Sequence, residues 1–244
     1  MKDMIAVELL KLKRSKILWV VILAPVLMVM QGIMNFRRYY DLFTGAGQNA
    51  WQQLYTQCMI FYAMILLPVL ISLVMTFVAR IENAHQGWKQ YLSLPVKRET
   101  AYLSKFVVAA GLVFINVIAL ILSMLLAGPF TGVAEKVPYQ LLLGRPLAAY
   151  LAALPMMTVL YVLSLRYTQL AVPLGVGIGL TMPAILAANS KLWFIYPWTY
   201  PIMAALGGDM EVFDKGPVVY LASLVLGITV LFYGLKSFRN RDLV

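Results

Sequence analysis

Stretches of about 20 residues without a single charge recur along this chain, and they restrict its fold more than any motif does. About 20 apolar residues rising 1.5 Å each cross a hydrocarbon core of about 30 Å. A charge at mid-helix costs about 2.5–3.5 kcal/mol, so spans show themselves as charge-free runs. Residues 17–36, between Lys16 and Arg37, form the first. A second run covers 42–79, and its polar first part, through Gln57, places the predicted helix at 57–79. The third is 106–134. Residues 146–165 and 167–190 flank Arg166. As one helix they would measure about 67 Å, too long for one crossing, so a hairpin turning at Arg166 is predicted. Residues 216–235 complete six spans in an all-α membrane fold, one transmembrane domain over 1–244.

Composition narrows the class further. Of 244 residues, 62% are apolar and 12% charged, whereas soluble domains are about half apolar and about a quarter charged. A soluble globular enzyme and intrinsic disorder are thereby excluded. The single cysteine, Cys58, excludes disulfide frameworks and Cys-based zinc sites. His85 is the one imidazole, too few for a zinc site that wants three or more ligands, and is expected to be a surface polar residue. The net charge of +10 invites a nucleic-acid reading, but topology explains it better. With both termini in the cytoplasm, only Arg37, Arg38, Lys136, Arg145, Lys191 and Lys215 of the 20 Lys and Arg lie outside, which satisfies the positive-inside rule. No nucleic-acid partner is expected.

The segments between the spans carry the remaining information. The first run is longer than the apolar core of a cleaved leader and no A-x-A-like site follows it, so the first span is expected to be retained. Ahead of it, residues 4–16 are amphipathic: Ile5, Leu9 and Leu12 recur at helical spacing, with Glu8, Lys11 and Arg14 opposite. That pattern predicts a helix in the interface plane, its basic residues toward anionic headgroups; a plain positive-inside anchor is the alternative. Residues 81–92 keep Ile81, Ala84, Trp88 and Leu92 on one face and Glu82, Gln86 and Lys89 on the other, until Pro95 interrupts the pattern. A cytoplasmic amphipathic helix is predicted there, with a polar face free to meet a partner. Residues 192–208 are apolar but carry Trp193, Tyr196, Pro197, Trp198, Tyr200 and Pro201. Interface aromatics and two prolines predict a re-entrant or surface-lying hairpin outside, packed on protein.

Several chemistries are missing. No charge lies inside any run, which disfavours proton- or sodium-coupled carriage. The polar residues there, among them Gln31, Asn35, Ser72, Thr76, Asn116 and Ser164, ordinarily hydrogen-bond between helices; pore lining is the alternative. No nucleophile–base pair, metal cluster or phosphate-binding motif is present, so no catalytic, cofactor or metal residue is assigned. Gly175 and Gly179 have the G-x-x-x-G spacing of close helix packing.

Three stretches carry a family resemblance. They are Glu8-Leu9-Leu10-Lys11-Leu12-Lys13-Arg14-Ser15, the run 82–105 with Trp88-Lys89, Leu92-Ser93-Leu94-Pro95, Lys97-Arg98 and Ser104-Lys105, and Pro197-Trp198 ahead of the last span. Together with six spans they resemble the membrane subunits of ABC-2 (type V) ATP-binding-cassette exporters, within them the lantibiotic-immunity and bacitracin-export permeases of bacterial cell membranes. The resemblance implies two copies of a cytosolic ATPase that holds the ATP and magnesium, and a second permease, identical or homologous. It also implies an amphiphilic peptide cargo removed from the membrane. Residues 81–92 would be the coupling helix, with Glu82, Asn83, His85, Gln86, Trp88 and Lys89 at the ATPase, and 4–16 the elbow helix. Other ABC-2 cargos (lipid, polysaccharide, ions, metal-centre maturation), an ATP-independent carrier and a membrane sensor remain as alternatives.

Overall fold

A computed structural model describes residues 1–13, 15–45, 47–83, 97–131, 133, 135–207 and 210–240. Among these residues every regular element is helical. In chain order they are α1 (Lys2–Leu12), α2 (Ile17–Arg38), α3 (Tyr40–Thr44), α4 (Ala50–Phe61), α5 (Leu67–Asn83), α6 (Arg98–Ala127), α7 (Arg145–Ala152), α8 (Leu154–Arg166), α9 (Ala171–Gly179), α10 (Thr181–Ala188), α11 (Thr199–Leu206) and α12 (Val218–Arg239). Five continuous stretches are long and apolar enough to cross a bilayer: Ile17–Arg38, Ala50–Ile81, Arg98–Phe130, Ala171–Ala188 and Val218–Arg239. The pair Gln140–Ala152 and Leu154–Arg166, bent by 41°, supplies a sixth.

Prolines set most of the irregularities. The π-helical segments Tyr62–Leu66 and Gln140–Gly144 run directly ahead of Pro68 and Pro146. A proline lacks the N–H for the carbonyl four residues back and crowds that carbonyl, and a widened turn absorbs both effects. The breaks at Ala153 and Leu180 likewise precede Pro155 and Pro183.

Helix ends differ from the charge-free runs for local reasons. The second spanning helix starts at Ala50 rather than 57, because the Asn49 side chain accepts from Gln52 N–H and caps it. Its polar residues fit inside the helix: Thr56 donates back to Gln52 O, and Gln57 Oε1 accepts from Asn35 of α2. The third starts at Arg98 rather than 106, so Lys105 lies within α6, and it gives way at Gly128–Phe130 to a 3₁₀ turn instead of running to 134. The fourth extends back to Gln140 through the π turn, and Arg145, placed by sequence in a loop, opens α7.

The core lies where α2 packs on α6 and α4, and α8 on α5 and α12. α11 is buried at all eight of its residues, against α7, α10, α12 and α4. At about 12 Å it is too short to cross, and a helix apolar on every side belongs inside protein. Its polar groups are met there: Tyr55 of α4 donates to Ala205 O at 2.8 Å, and Trp198 Nε1 donates to Gly177 O at 3.1 Å. Within the expected re-entrant segment, α11 is therefore a buried plug, while Leu192, Phe194 and Ile195 ahead of it are exposed. The outer faces of α2, α10 and α12 instead expose Trp19, Leu27, Met34, Met182, Leu186, Leu221 and Phe232.

Two packing expectations are corrected. The Glu8 row of α1, expected to face water or headgroups, turns inward: Glu8 and Leu12 are buried while Leu9 and Leu10 are exposed. A buried cationic partner outweighs the apolar spacing of Ile5, Leu9 and Leu12. Close helix approach within the chain falls at Gly177, not at Gly175 or Gly179. A Cβ at Gly177 would lie 1.9 Å from Ser72 Oγ of α5, and one at either neighbour meets nothing within 4 Å.

The charged face as candidate functional site

One face of the bundle gathers α1, the end of α5, the start of α6, and the ends of α8 and α12. Its centre is an ion pair inside protein. Lys105 Nζ lies 2.6 Å from Glu8 Oε2, and both side chains are 1% exposed or less. Lys11 Nζ takes the other carboxylate oxygen at 2.9 Å. Small residues make room, since Ala101, Ser104 and Ala109 line the buried side of α6 where α1 lies on it. Removing one partner of such a pair strands a desolvated charge and costs about 3–5 kcal/mol, so α1 is firmly tied to α6.

A second tie joins α6 to α12. Arg98 donates to Arg239 O at 3.0 Å, satisfying a carbonyl at the end of α12. Arg239 pairs with Glu99 at 3.4 Å, an exposed contact that contributes little on its own. One turn deeper, Tyr102 OH donates to Leu231 O, and Tyr161 of α8 donates to Tyr102 O. Rings of Tyr102, Tyr161, Phe106 and Phe238 sit with centroids 5.0–5.6 Å apart. Gly234 allows the passage, because a Cβ there would reach 2.4 Å from Tyr102 Oη. Beside this cluster opens a cavity of about 650 Å³, lined by Tyr102, Arg166, Tyr167, Tyr233, Ser237 and Asn240 among others.

Most of the sequence-predicted contact residues lie outside the described residues. α5 runs on to Asn83, so the backbone of Glu82 and Asn83 is helical at this face. His85, Gln86, Trp88 and Lys89 lie outside the described residues, as does Arg14 of the elbow. Sequence reasoning missed the burial of Lys105 and the role of Arg98. A signal was available: extending the third helix upstream puts Ala101, Lys105, Ala109, Leu112 and Asn116 on one face, and all five are buried.

Halfway through the bundle, Asn116 joins three segments. Its Nδ2 donates to Val21 O of α2 at 2.7 Å, and its Oδ1 accepts from Tyr62 OH at 2.8 Å. Thr76 and Ser164 meet across α5 and α8 at 3.3 Å, while Ser72, Ser123, Thr158 and Asn189 bond back to their own helices and Thr181 bonds to Gly177 O at the end of α9. Asn116→Leu is expected to lower stability by about 1–3 kcal/mol, because it orphans two buried groups. Tyr62→Phe, which leaves only one lone pair unmet, is expected to cost less. Thermal unfolding of both variants in detergent would read the order, and equal shifts would contradict it.

The chain thus has five continuous apolar helices and one bent pair long enough to cross a membrane, with a short buried helix before the last of them. Residues 4–184 match the family described as ABC-2 family transporter protein, and the chain belongs to that family. It is a multi-pass membrane protein and a transporter subunit of the ABC-2 class. No curated protein matches it significantly.

Proposed function

We propose that this chain is the permease subunit of an ATP-binding-cassette exporter in a bacterial cytoplasmic membrane, with both termini inside. A separate ATPase, in two copies, supplies ATP hydrolysis with its magnesium. The cargo is an amphiphilic antimicrobial peptide of the lantibiotic or bacitracin kind, moved off or out of the membrane for self-protection. Membership of the ABC-2 family supports the class. The cargo rests on the resemblance of residues 8–15 and 82–105 to immunity permeases, and on spans free of charge at mid-depth, which suit a lipid-partitioning molecule.

The observation that carries the coupling reading is the way the charged face is tied together. Residues 81–92 follow on from α5 and precede α6 in sequence, so a push on them reaches the end of α5 and the start of α6. Glu8–Lys105 fixes α1 to that start, and Arg98 fixes α12 to it. α1, α6 and α12 then move as a unit, a rigid-body tilt of packed helices.

Affinity purification from native membranes is expected to bring down a cassette ATPase. Glu82→Lys is expected to lower transport-linked ATP hydrolysis at unchanged expression. A purified permease that pumps peptide uphill in liposomes without ATP would overturn the reading.

A further inference from the structure

The cavity at the charged face serves neither the ion pairs nor the coupling reading. It lies between the ends of α8 and α12, just past the point where Gly234 lets α12 approach Tyr102 and Val162 closely. Beyond that contact α8 stops at Arg166 and Tyr167 turns extended, so the two helices no longer fill the space between them. Tyr233, Ser237 and the cap residue Asn240 recur at i, i+4 and i+7 along α12, one helical face that lines the cavity. With Arg166 and Tyr167 they bring a permanent positive charge and four hydrogen-bonding side chains to one place. The side chains of Tyr167, Tyr233, Ser237 and Asn240 have no hydrogen-bond partner among the described residues. No acidic side chain among the described residues lines the cavity, and Glu99 nearby is engaged with Arg239. The last carbonyls of α8 and α12 oppose an anion here, and Arg98 offsets part of that by binding Arg239 O. Toward the middle of the span the wall changes character, to Val162, Leu165 and the exposed ring of Tyr233.

We propose that this cavity binds the headgroup of an anionic phospholipid, its phosphate at Arg166, Ser237 and Asn240 and its acyl chains passing Tyr233 along α12. A phosphate ester in solution offers the same anion, and three features favour the lipid. The cavity lies at the ends of two membrane helices, where hydrocarbon gives way to headgroups. Its inner wall is apolar, which suits the start of an acyl chain and not a hydrated ion. Its volume of about 650 Å³ would leave a bare phosphate loose, whereas pockets of about 300–1,000 Å³ enclose whole organic ligands. Basic pockets between spanning helices recognise such headgroups by their charge. A lipid seated there touches α6 through Tyr102 as well as α8 and α12, so it joins three helices that the charged face already ties. The site is independent of which cargo the subunit moves.

The whole chain, purified in a mild detergent, is offered phosphatidylglycerol or phosphatidylcholine of equal chain length, and native mass spectrometry reads the lipid retained. Phosphatidylglycerol is expected to be held about fivefold more tightly. Arg166→Gln is expected to abolish that preference. Ser237→Phe fills the cavity from an exposed position without changing charge, and is expected to abolish it at an unchanged melting temperature. Lys191→Gln, at an exposed charge outside the cavity lining, is expected to keep it. Equal retention of the two lipids would sink the site. A preference that survives Ser237→Phe would sink it too, because attraction to a basic surface needs no cavity. Saturable binding of glycerol 3-phosphate in place of lipid, blocked by Ser237→Phe, would give the cavity to a soluble phosphate ester and overturn the lipid. None of these outcomes bears on the ATPase partnership, which co-purification tests separately.

Discussion

Lys105→Met is expected to destabilise the protein by about 3–5 kcal/mol, a larger loss than any surface change can cause. The lost attraction is the smaller part of that effect. Glu8 stays buried without the ammonium that sat 2.6 Å away, with only Lys11 left at its other oxygen, and its desolvation is offset less well. Glu8→Leu removes the carboxylate that faces Lys105, so both single variants should melt early in detergent and yield less monodisperse protein. The double variant Glu8→Leu with Lys105→Met is expected to recover most of the loss, because an apolar pair of similar volume avoids both desolvation penalties. A double variant no better than the singles would show that the pair does not act as a unit. A stable double variant with poor ATPase stimulation would separate its role in transmitting force from its role in folding.

The second large effect is expected at the glycines between helices, and the obstacle differs from site to site. At Gly32 an added Cβ would lie 2.9 Å from the backbone N and Cα of Cys58, and backbone cannot step aside. Gly32→Leu should therefore force α2 off α4, at or above the roughly 1–3 kcal/mol usual for overpacking. Cys58→Ala should not rescue even Gly32→Ala. At Gly177 the obstacle is the Ser72 side chain, with Oγ at 1.9 Å and Cβ at 2.6 Å. Gly177→Ala should be rescued by Ser72→Gly. Melting temperatures of the four combinations test the distinction, and rescue at both sites or at neither would refute it.

The presence and rough placing of the apolar spans were legible because the bilayer penalises mid-helix charge so heavily. Where they begin and end was less so. Asn49 caps a helix whose first turns are polar but packed, and Lys105 is tolerated inside α6 where Glu8 meets it. Glu8 lies far from Lys105 in sequence, and the polar first turns of α4 hide its start, so a window of hydropathy reads both as ends. The amphipathic pattern of α1 misled for the same reason, since spacing reports which residues share a face and not which face turns inward. At Gly175 and Gly179 the motif was visible, but the chain's own close contact sits between them at Gly177. The family was legible from residues 8–15 and 82–105, although much of the second stretch lies outside the described residues.

The buried plug α11 also bears on biogenesis. Its walls come from α4, α7, α10 and α12, and the last of these is made after it. Eight apolar residues have no foothold in lipid by themselves, so the nascent segment must wait at the bilayer surface until α12 has been inserted beside it. Seating of this plug thus waits on α12, and a chain released before α12 would leave that pocket unfilled however well its earlier helices had been threaded.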